Sequence, residues 1–454
     1  MNPAVNWLLA FQACNACNFT IGLGAPLILT ARYLKASEEQ IGILNGIAPL
    51  MVALQLFATN WMVRLGYRRM MLMGWSTRSF MLLLITPLPF LVGAIPEAVL
   101  SWALIVPIFL FNLFRGLASG AWLPWLKALL PEGERGKYLA REQVTMNVSG
   151  FLTLQLCAAV LGESPGPFQF SILFVLAWGA GMASVFFLKR APEIMPGADG
   201  SEKERSFGEV LKGTLRVLRH APFRAATLFG GLHVFALAAL PGFLVIYVRE
   251  DLGWSEGGTM QLQSMTTVGV LITALVWGAL CERYGSRPVL RLTLWGQLTL
   301  LTFWIAAAAA LPVSTMPALL TVFFLWGSLS SAQAIAQTRL TLDTSPPEDV
   351  TLSMPVYQVC LAVASGAGPM IWGVILDRLR HPPTNAEVYD PAGPYSVGFL
   401  VFFGAALALL FVAHLLLSRV RERSSFSTGR MILNVGWDWP TRVLSPIMIR
   451  RKGE

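Results

Sequence analysis

The chain has 454 residues, 55% of them hydrophobic and 13% charged, with a formal net charge of +9. Soluble domains carry about 25% charged residues, so this composition excludes an ordinary soluble globular protein and fits a chain dissolved in a bilayer. The positive balance does not point to nucleic acid, because the bases flank apolar runs and no basic stripe interleaved with aromatics occurs.

A membrane-spanning helix needs about 20 mostly apolar residues. The opening residues Met1-Asn2-Pro3-Ala4-Val5-Asn6 carry no base, so the first apolar run is expected to be a span rather than a cleaved signal peptide. Spans are predicted at 7–31, 40–63, 70–93, 98–122, 143–163 and 167–188. A polar stretch from Lys189 to Arg224 follows, marked by Pro192, Pro196, Gly197 and Gly200. Within it, Ser206 to Arg219 predicts an amphipathic helix on the membrane surface, with Phe207, Val210, Leu211, Leu215 and Leu218 on one side. Six further spans are predicted at 223–248, 258–281, 288–311, 316–338, 351–376 and 394–418. The expected fold class is an all-α membrane protein of twelve transmembrane helices in two pseudo-symmetric six-helix bundles. The expected domains are a bundle over 1–188, a cytoplasmic linker over 189–222, a bundle over 223–418 and a basic cytoplasmic tail over 419–454.

Lys and Arg set the orientation. Of the 34 bases, only Arg32, Lys35, Arg249, Arg378 and Arg380 fall on one side, while Arg78 and Arg115 lie inside spans and the rest crowd the other side. Both termini are therefore expected in the cytoplasm, with the chain integral to the inner (cytoplasmic) membrane. Bases around Trp437 and Trp439 in the tail fit contact with anionic headgroups; a disordered tail that merely follows the charge bias reads equally well. The cysteines Cys14, Cys17, Cys157, Cys281 and Cys360 all lie in or at the ends of apolar runs, so no disulfide framework and no metal site is expected.

The two halves repeat. Pro3 answers Pro222, and Leu34-Lys35-Ala36-Ser37-Glu38 answers Leu252-Gly253-Trp254-Ser255-Glu256. Arg64-Leu65-Gly66-Tyr67-Arg68 answers Arg283-Tyr284-Gly285-Ser286-Arg287, Trp75 answers Trp295, and Pro131-Glu132 answers Pro347-Glu348. Parallel six-helix halves are a recognised transporter plan, with the solute site between them. The run Gly278-Ala279-Leu280-Cys281-Glu282-Arg283-Tyr284-Gly285-Ser286-Arg287 resembles the loop signature of the major facilitator superfamily, and the likeness extends over essentially the whole chain. The resemblance implies transport by rocking of the two halves, with an ion network at these loops that latches one gate. On this reading Gly278 permits close helix approach, Gly285 makes the turn, and Glu282, Arg283 and Arg287 supply charge. The first-half copy keeps Gly66 and Arg68 but has Val63 where the acid belongs and Thr59 where the first Gly belongs. Arg115, with Gly116 and Gly120, partly resembles a fourth-helix Arg–Gly motif, and Gly366-Ala367-Gly368-Pro369 predicts a kink in span 11.

Polar side chains within spans are candidates for solute contact. Span 1 carries Gln12, Asn15 and Asn18 on one flank, span 2 carries Asn45, span 10 carries Ser330, Gln333 and Gln337, and span 11 carries Tyr357 and Gln358. Each has a second reading as an interhelical hydrogen bond. Arg78 and Arg115 read either as a cationic patch for an anionic solute or as structural arginines, with Arg78 expected to be structural. His233 in span 7, a helix that lines the cavity in the resembled family, reads as a proton carrier or as a neutral bonded histidine. Every Asp and Glu falls in a loop or at a span end, which argues against a proton relay built on a buried carboxylate. No Walker loop, HExxH or GxSxG in a suitable setting appears, so neither an enzyme nor an ATP-driven pump is expected. No cofactor is expected. The partners expected are a small solute, membrane lipids and a coupling proton or ion. The solute-contact set is Asn15, Asn18, Arg115, His233, Gln333, Gln337 and Tyr357, with a polar or anionic solute favoured. The alternatives are multidrug-type efflux, or a non-transporting receptor or lipid-handling protein on the same scaffold.

Overall fold

A computed structural model describes residues 3–56, 65–130, 132–193, 207–346, 350–380 and 397–420, with 429 and 431. The first half holds α1 (Pro3–Leu23), α2 (Ala25–Tyr33), α3 (Glu38–Val52), α4 (Tyr67–Leu83), α5 (Glu97–Ser119), α6 (Trp122–Leu129), α7 (Glu132–Leu161) and α8 (Pro167–Leu188). After the linker helix α9 (Phe207–Arg219), the second half holds α10 (Ala221–Leu237), α11 (Leu240–Ile246), α12 (Glu256–Tyr284), α13 (Ser286–Ala308), α14 (Met316–Thr344), α15 (Val350–Arg380) and α16 (Val397–Arg419). The extended backbone that occurs among the described residues amounts to one bridge, Val92 to Ile95.

Eleven of these segments are long and apolar enough to cross a membrane. The twelfth expected span, 40–63, is represented by α3 and the 3-10 turn Ala53–Leu56; residues 57–64 lie outside the described residues. Other boundaries differ from expectation for local reasons. Span 1 breaks between α1 and α2 at Gly24, next to Pro26 at the α2 start. Span 5 is expected from 143, but α7 begins at Glu132, because Arg141 and Glu142 continue the helix with no breaker between them. The short helix α6 is an element that apolar run length does not separate from span 4; Trp125 and Leu126 anchor it in the core.

The repeat appears in the backbone itself. Ser37 caps α3 by accepting from the Gln40 amide at 3.3 Å, and Ser255 caps α12 by accepting from the Gly258 amide at 3.1 Å. Just before these caps, Lys35 (φ 62°) and Gly253 (φ 70°) share the left-handed conformation. Gly66 (φ 82°, ψ 157°) and Gly285 (φ 90°, ψ 171°) open α4 and α13 in a region accessible essentially to glycine alone. Gly278 behaves differently: a Cβ there would meet nothing within 4 Å, so the close approach expected of it does not occur. Gly285→Ala should therefore cost about 1–3 kcal/mol and lower the melting temperature in detergent, whereas Gly278→Ala should leave it unchanged or raise it.

Within the first half, α1 packs on α7 and α8, and α4 packs on α5 and α8; in the second, α10 packs on α15 and α16, and α12 and α13 pack on α14. The halves meet where α3 crosses α15 and where α7 crosses α12. Both crossings are close because side chains are missing. A Cβ at Gly42 would lie 2.4 Å from the Pro369 carbonyl oxygen, and one at Gly46 would lie 2.5 Å from that of Gly366. At the other crossing the Gly257 amide donates to the Gly162 carbonyl at 2.8 Å. The helix α15 runs unbroken through Pro355 and Pro369, so the Gly-Pro sequence serves this crossing rather than a break in the helix.

The linker helix α9 is not simply laid on a membrane surface. Val217 is fully buried in a cluster with Phe223, Val356 and Tyr357, while Leu215 is exposed. The helix is held by the second bundle because Val217 and Leu218 find apolar partners on α10 and α15. The side chains of Phe207, Val210 and Leu211 lie outside the described residues, as does most of the tail with Trp437 and Trp439.

Candidate functional site

Most of the polar residues singled out in the spans gather into two buried clusters, one in each half; Gln358 is exposed, and Asn45 donates to the Ile41 carbonyl of its own helix at 3.1 Å. In the first half, Asn15 Oδ1 accepts from Trp75 Nε1 at 3.1 Å and from Arg78 Nη2, and Asn15 Nδ2 donates to Gln12 Oε1 at 3.1 Å. Asn18 Oδ1 lies 3.4 Å from the same Arg78 nitrogen, and Asn18 Nδ2 donates to the Ala177 carbonyl at 2.8 Å. Arg78 is 0% exposed and sits over Trp75, Phe19 and Phe111, with ring centroids at 4.2, 4.7 and 5.1 Å. Arg115 approaches the same Phe19 ring at 5.5 Å and donates to the Ala48 carbonyl at 2.6 Å.

In the second half, His233 Nε2 donates to Gln297 Oε1 at 2.9 Å. Thr293 donates to Gln333 Oε1 at 3.0 Å, and Gln333 Nε2 donates to Gln337 Oε1 at 3.2 Å. Gln337 Nε2 and Tyr357 Oη converge at Gly230, where an added Cβ would lie 2.2 and 2.7 Å from them. His233 is 5% exposed, so its ring is held inside the bundle by this one side-chain bond.

The clusters are related by the repeat. In the register of Ser37 and Ser255, Asn15 answers His233; in the register of Gly66 and Gly285, Arg78 answers Gln297. The bonded pair Asn15–Arg78 thus has the bonded pair His233–Gln297 as its image. Among the described residues, no hydrogen bond joins one cluster to the other.

Several buried polar atoms in these clusters have no protein partner: Arg78 Nε and Nη1, Arg115 Nε and His233 Nδ1; the Tyr357 hydroxyl lies within hydrogen-bonding reach of Gln337 and Thr341. A buried unmet donor or acceptor costs about 1–3 kcal/mol, so a site is expected where such atoms gather. Three residues of the two clusters are not singled out by the sequence: Gln297, Thr293 and Glu142. Glu142 corrects the expectation that no acid lies inside the bundle. It is 8% exposed, and it accepts hydrogen bonds from Gln12 Nε2 and from Trp122. Its place at the first residue before an apolar run makes it look like a span end, but the helix starts further upstream.

Among the described residues, the loop residues expected to form a gate make several contacts within their own halves. Arg68 pairs with Glu193 at 3.0 Å and donates to the Ala191 carbonyl at 3.1 Å, fastening α4 to the end of α8. Glu282 is exposed, Arg283 lies 5.4 Å over the Tyr284 ring, and Arg287 donates to the Ser418 carbonyl at 3.3 Å. Arg339 of α14, which the sequence does not single out, donates to the Cys281 carbonyl at the end of α12.

Ion pairs that bridge the halves occur at the opposite end. Glu38, fully buried, lies 3.3 Å from Arg32 of its own half and 3.2 Å from Arg380 of the other. Arg380 also reaches Glu250 at 3.3 Å and Asp251 at 3.4 Å, and Arg32 forms a two-point pair with Glu250. Arg249 pairs with Glu256 at 2.6 Å beside it. Among the described residues, no group of His, Cys, Asp and Glu has the arrangement of a metal site.

Comparisons with known proteins agree with this architecture. The fold resembles a mutant form of the nucleoside transporter NupG with a TM-score of 0.67 at 11% identity, covering 91% of this chain and 98% of that one. It resembles a bacterial homologue of the human lysosomal transporter Spinster, inward-facing and unoccupied, with a TM-score of 0.66 at 14% identity over 96% and 98% of the two chains. It resembles a POT family transporter in complex with 5-aminolevulinic acid with a TM-score of 0.69 at 12% identity over 92% and 96%. In sequence, 69 residues are 38% identical to a probable chloroplastic anion transporter 3 of Arabidopsis thaliana, a match that spans 15% of this chain and 14% of that one. The family model described as Major Facilitator Superfamily matches residues 8–257 and 227–437, and the chain belongs to that family of membrane transporters.

Proposed function

We infer that the chain carries a small polar or anionic solute by alternating access, with a site shared between the two clusters. The lining residues on this reading are Asn15, Asn18 and Arg115 from the first half and His233, Gln333, Gln337 and Tyr357 from the second. The observation that supports it most is the set of buried polar atoms without protein partners, drawn from these clusters in both halves. A solute that bonds them all must reach both halves, which draws the halves together around it. The Glu38–Arg380 cluster then acts as the latch that holds one end shut while the other opens. On the charge rule that end is external and the termini are cytoplasmic. In this scheme Gly66, Arg68, Glu282, Arg283, Gly285 and Arg287 belong to the cytoplasmic gate, with Gly66, Arg68 and Gly285 keeping each half rigid as it rocks.

Multidrug-type efflux is the second reading, and buried Glu142 favours it, since an acid inside the bundle suits a cationic drug. Against it stand Arg78 and Arg115, two cations on one aromatic ring, which repel a cationic ligand from the first half. A thermal-shift screen of the detergent-purified protein separates the two. Uridine, glucuronate, 5-aminolevulinic acid and tetraphenylphosphonium serve as probes, and a bound ligand at a hundred times its dissociation constant stabilises by about 2.7 kcal/mol. Stabilisation by the polar or anionic probes supports the inference, and stabilisation by tetraphenylphosphonium alone overturns it. His233→Leu should then weaken binding of the stabilising probe by about tenfold to a hundredfold, the equivalent of one or two lost hydrogen bonds. An unchanged affinity would remove His233 from the site.

A further inference from the structure

The first bundle contains a line of hydrogen bonds that its pseudo-symmetric partner lacks. Arg78 donates to Asn15, Asn15 donates to Gln12, and Gln12 donates to the Glu142 carboxylate. All three donors point the same way, so the two amide dipoles align between a buried cation and a buried carboxylate. In the second half the register that pairs Asn15 with His233 puts Gly230 opposite Gln12, and Gln297 stands in for Arg78. The helix α15, which answers α7, has Asp377 near its far end as its one acid. That half folds to the same plan without either charge, so the fold does not require Arg78 and Glu142. Burying two charges is costly, and a feature that is costly and dispensable for folding points to function.

Arg78 is also incompletely used. Its Nε and Nη1 have no protein partner although the side chain is fully buried, and the buried Nε of Arg115, which approaches the same Phe19 ring, has none either. These N–H groups suit a carboxylate, phosphate or similar oxyanion. The groups that face Glu142 are Gln12 from α1, Trp122 from α6 and Tyr138 one turn back on α7 itself. The helix α8 carries no acid or base, and the acids and base of α12 (Glu256, Glu282, Arg283) lie in its first and last turns.

We propose that Glu142 is a proton-binding site wired to Arg78 through Asn15 and Gln12, so that an anionic solute on Arg78 and Arg115 and a proton on Glu142 are carried together. This rests on the transport reading above and names its solute class. With the solute absent, the carboxylate is the counter-charge of Arg78. When an oxyanion takes the free Arg78 N–H groups, the guanidinium gains a nearer counter-charge and Glu142 loses the compensation for its own. Glu142 then takes a proton from water at its carboxylate oxygen, and the O–H bond breaks again when the anion leaves. A monovalent anion and one proton enter as a neutral pair, which avoids moving net charge against the membrane field.

Two experiments test this on the full chain. The first uses no solute: the melting temperatures of Arg78→Gln, Glu142→Gln and the double variant are compared with the wild type. Each single variant strands one charge, so the double variant should lose less than the sum of the two losses, and Glu142→Gln should raise the melting point of Arg78→Gln. Simple additivity overturns the proposal. If Arg78→Gln does not fold, Gln12→Met, which cuts the line between them, takes its place. The second uses proteoliposomes with glucuronate and uridine as probes and an imposed pH gradient. Glucuronate should accumulate with the gradient, and Glu142→Gln should lower the ratio of gradient-driven accumulation to solute exchange at least tenfold, a split that a merely structural role would not produce. An unchanged ratio overturns the proposal while leaving transport standing. Accumulation of uridine alone overturns the anionic class, and if neither probe moves, the transport reading fails on these probes and the melting cycle still decides the wiring.

Discussion

Glu38→Ala should loosen the contact between the two halves at the Arg32–Arg380 ion cluster. The carboxylate is fully buried between Arg32 and Arg380, bases from different halves. Glu250 touches the same two arginines but is itself partly exposed, so Glu38 is the buried centre of the cluster. Removing one partner of a buried ion pair costs about 3–5 kcal/mol, mostly because the remaining charge is stranded. Glu250 and Asp251 still reach the arginines, so the cluster should loosen rather than dissolve. Spin labels at Lys35 and Trp254, on the two pseudo-symmetric turns, report the outcome. The wild type should give one short distance, and Glu38→Ala should add a longer population, with transport falling at least tenfold if closure of this end is an obligatory step. Glu38→Gln keeps the shape of the side chain without the charge. It should fall between the two, and equal behaviour of Gln and wild type would show that packing, not charge, holds the end shut.

Gly42→Leu should produce a related fault at the same place, by preventing closure outright. A Cβ at this position would lie 2.4 Å from the Pro369 carbonyl oxygen and 2.9 Å from the Gly373 Cα, both backbone atoms that have no rotamer to escape into. Overpacking a close contact costs about 1–3 kcal/mol even where neighbours relax, and here relaxation means separating α3 from α15. The closed state should be lost while each bundle stays folded. The same spin-label pair would show only the long distance, transport would drop to background, and the melting temperature would change little. A folded Gly42→Leu protein that keeps full transport would mean that this crossing does not have to close. Gly278→Leu is the matched control, since its Cβ meets open space.

The two faults differ in character. The ion cluster is reversible chemistry, sensitive to salt and to the charge on each of its side chains, whereas the glycine crossing is shape. A rocking mechanism needs both: a contact close enough to exclude water, and an attraction weak enough to be broken in each cycle.

Much of this is legible in the sequence. Composition and apolar run length give the membrane class, and the repeat of Ser37 with Ser255 and Gly66 with Gly285 carries through to matching caps and matching backbone angles. These are local properties, set by residue type over a few positions. The candidates Asn15, Asn18, His233, Gln333, Gln337 and Tyr357 are visible for a related reason, because a polar side chain in a lipid-length apolar run must find a partner. The partners themselves are not visible. That Asn15 meets Arg78, that His233 meets Gln297 and that Arg78 is ringed by three aromatics depend on how helices distant in sequence cross.

Glu142 and Gly278 are misjudged from sequence, each for a physical reason. Window hydropathy locates the apolar part of a helix and not the helix, so an acid at the edge of an apolar run reads as leaving the bundle when α7 carries it inside. Motif spacing says which residues share a loop and not what lies across from them, so Gly278 is expected at a contact that the structure leaves open. Glu38, Glu250 and Arg380 stand far apart in the chain, and each reads alone as an ordinary loop charge. By itself the sequence determined the class, the repeat and the positions that must be bonded, because these follow from local chemistry and the bilayer. Only the tertiary structure decided which of them share a cluster and which charges bridge the halves, because both depend on the packing of two bundles whose contacts lie between residues far apart in the chain.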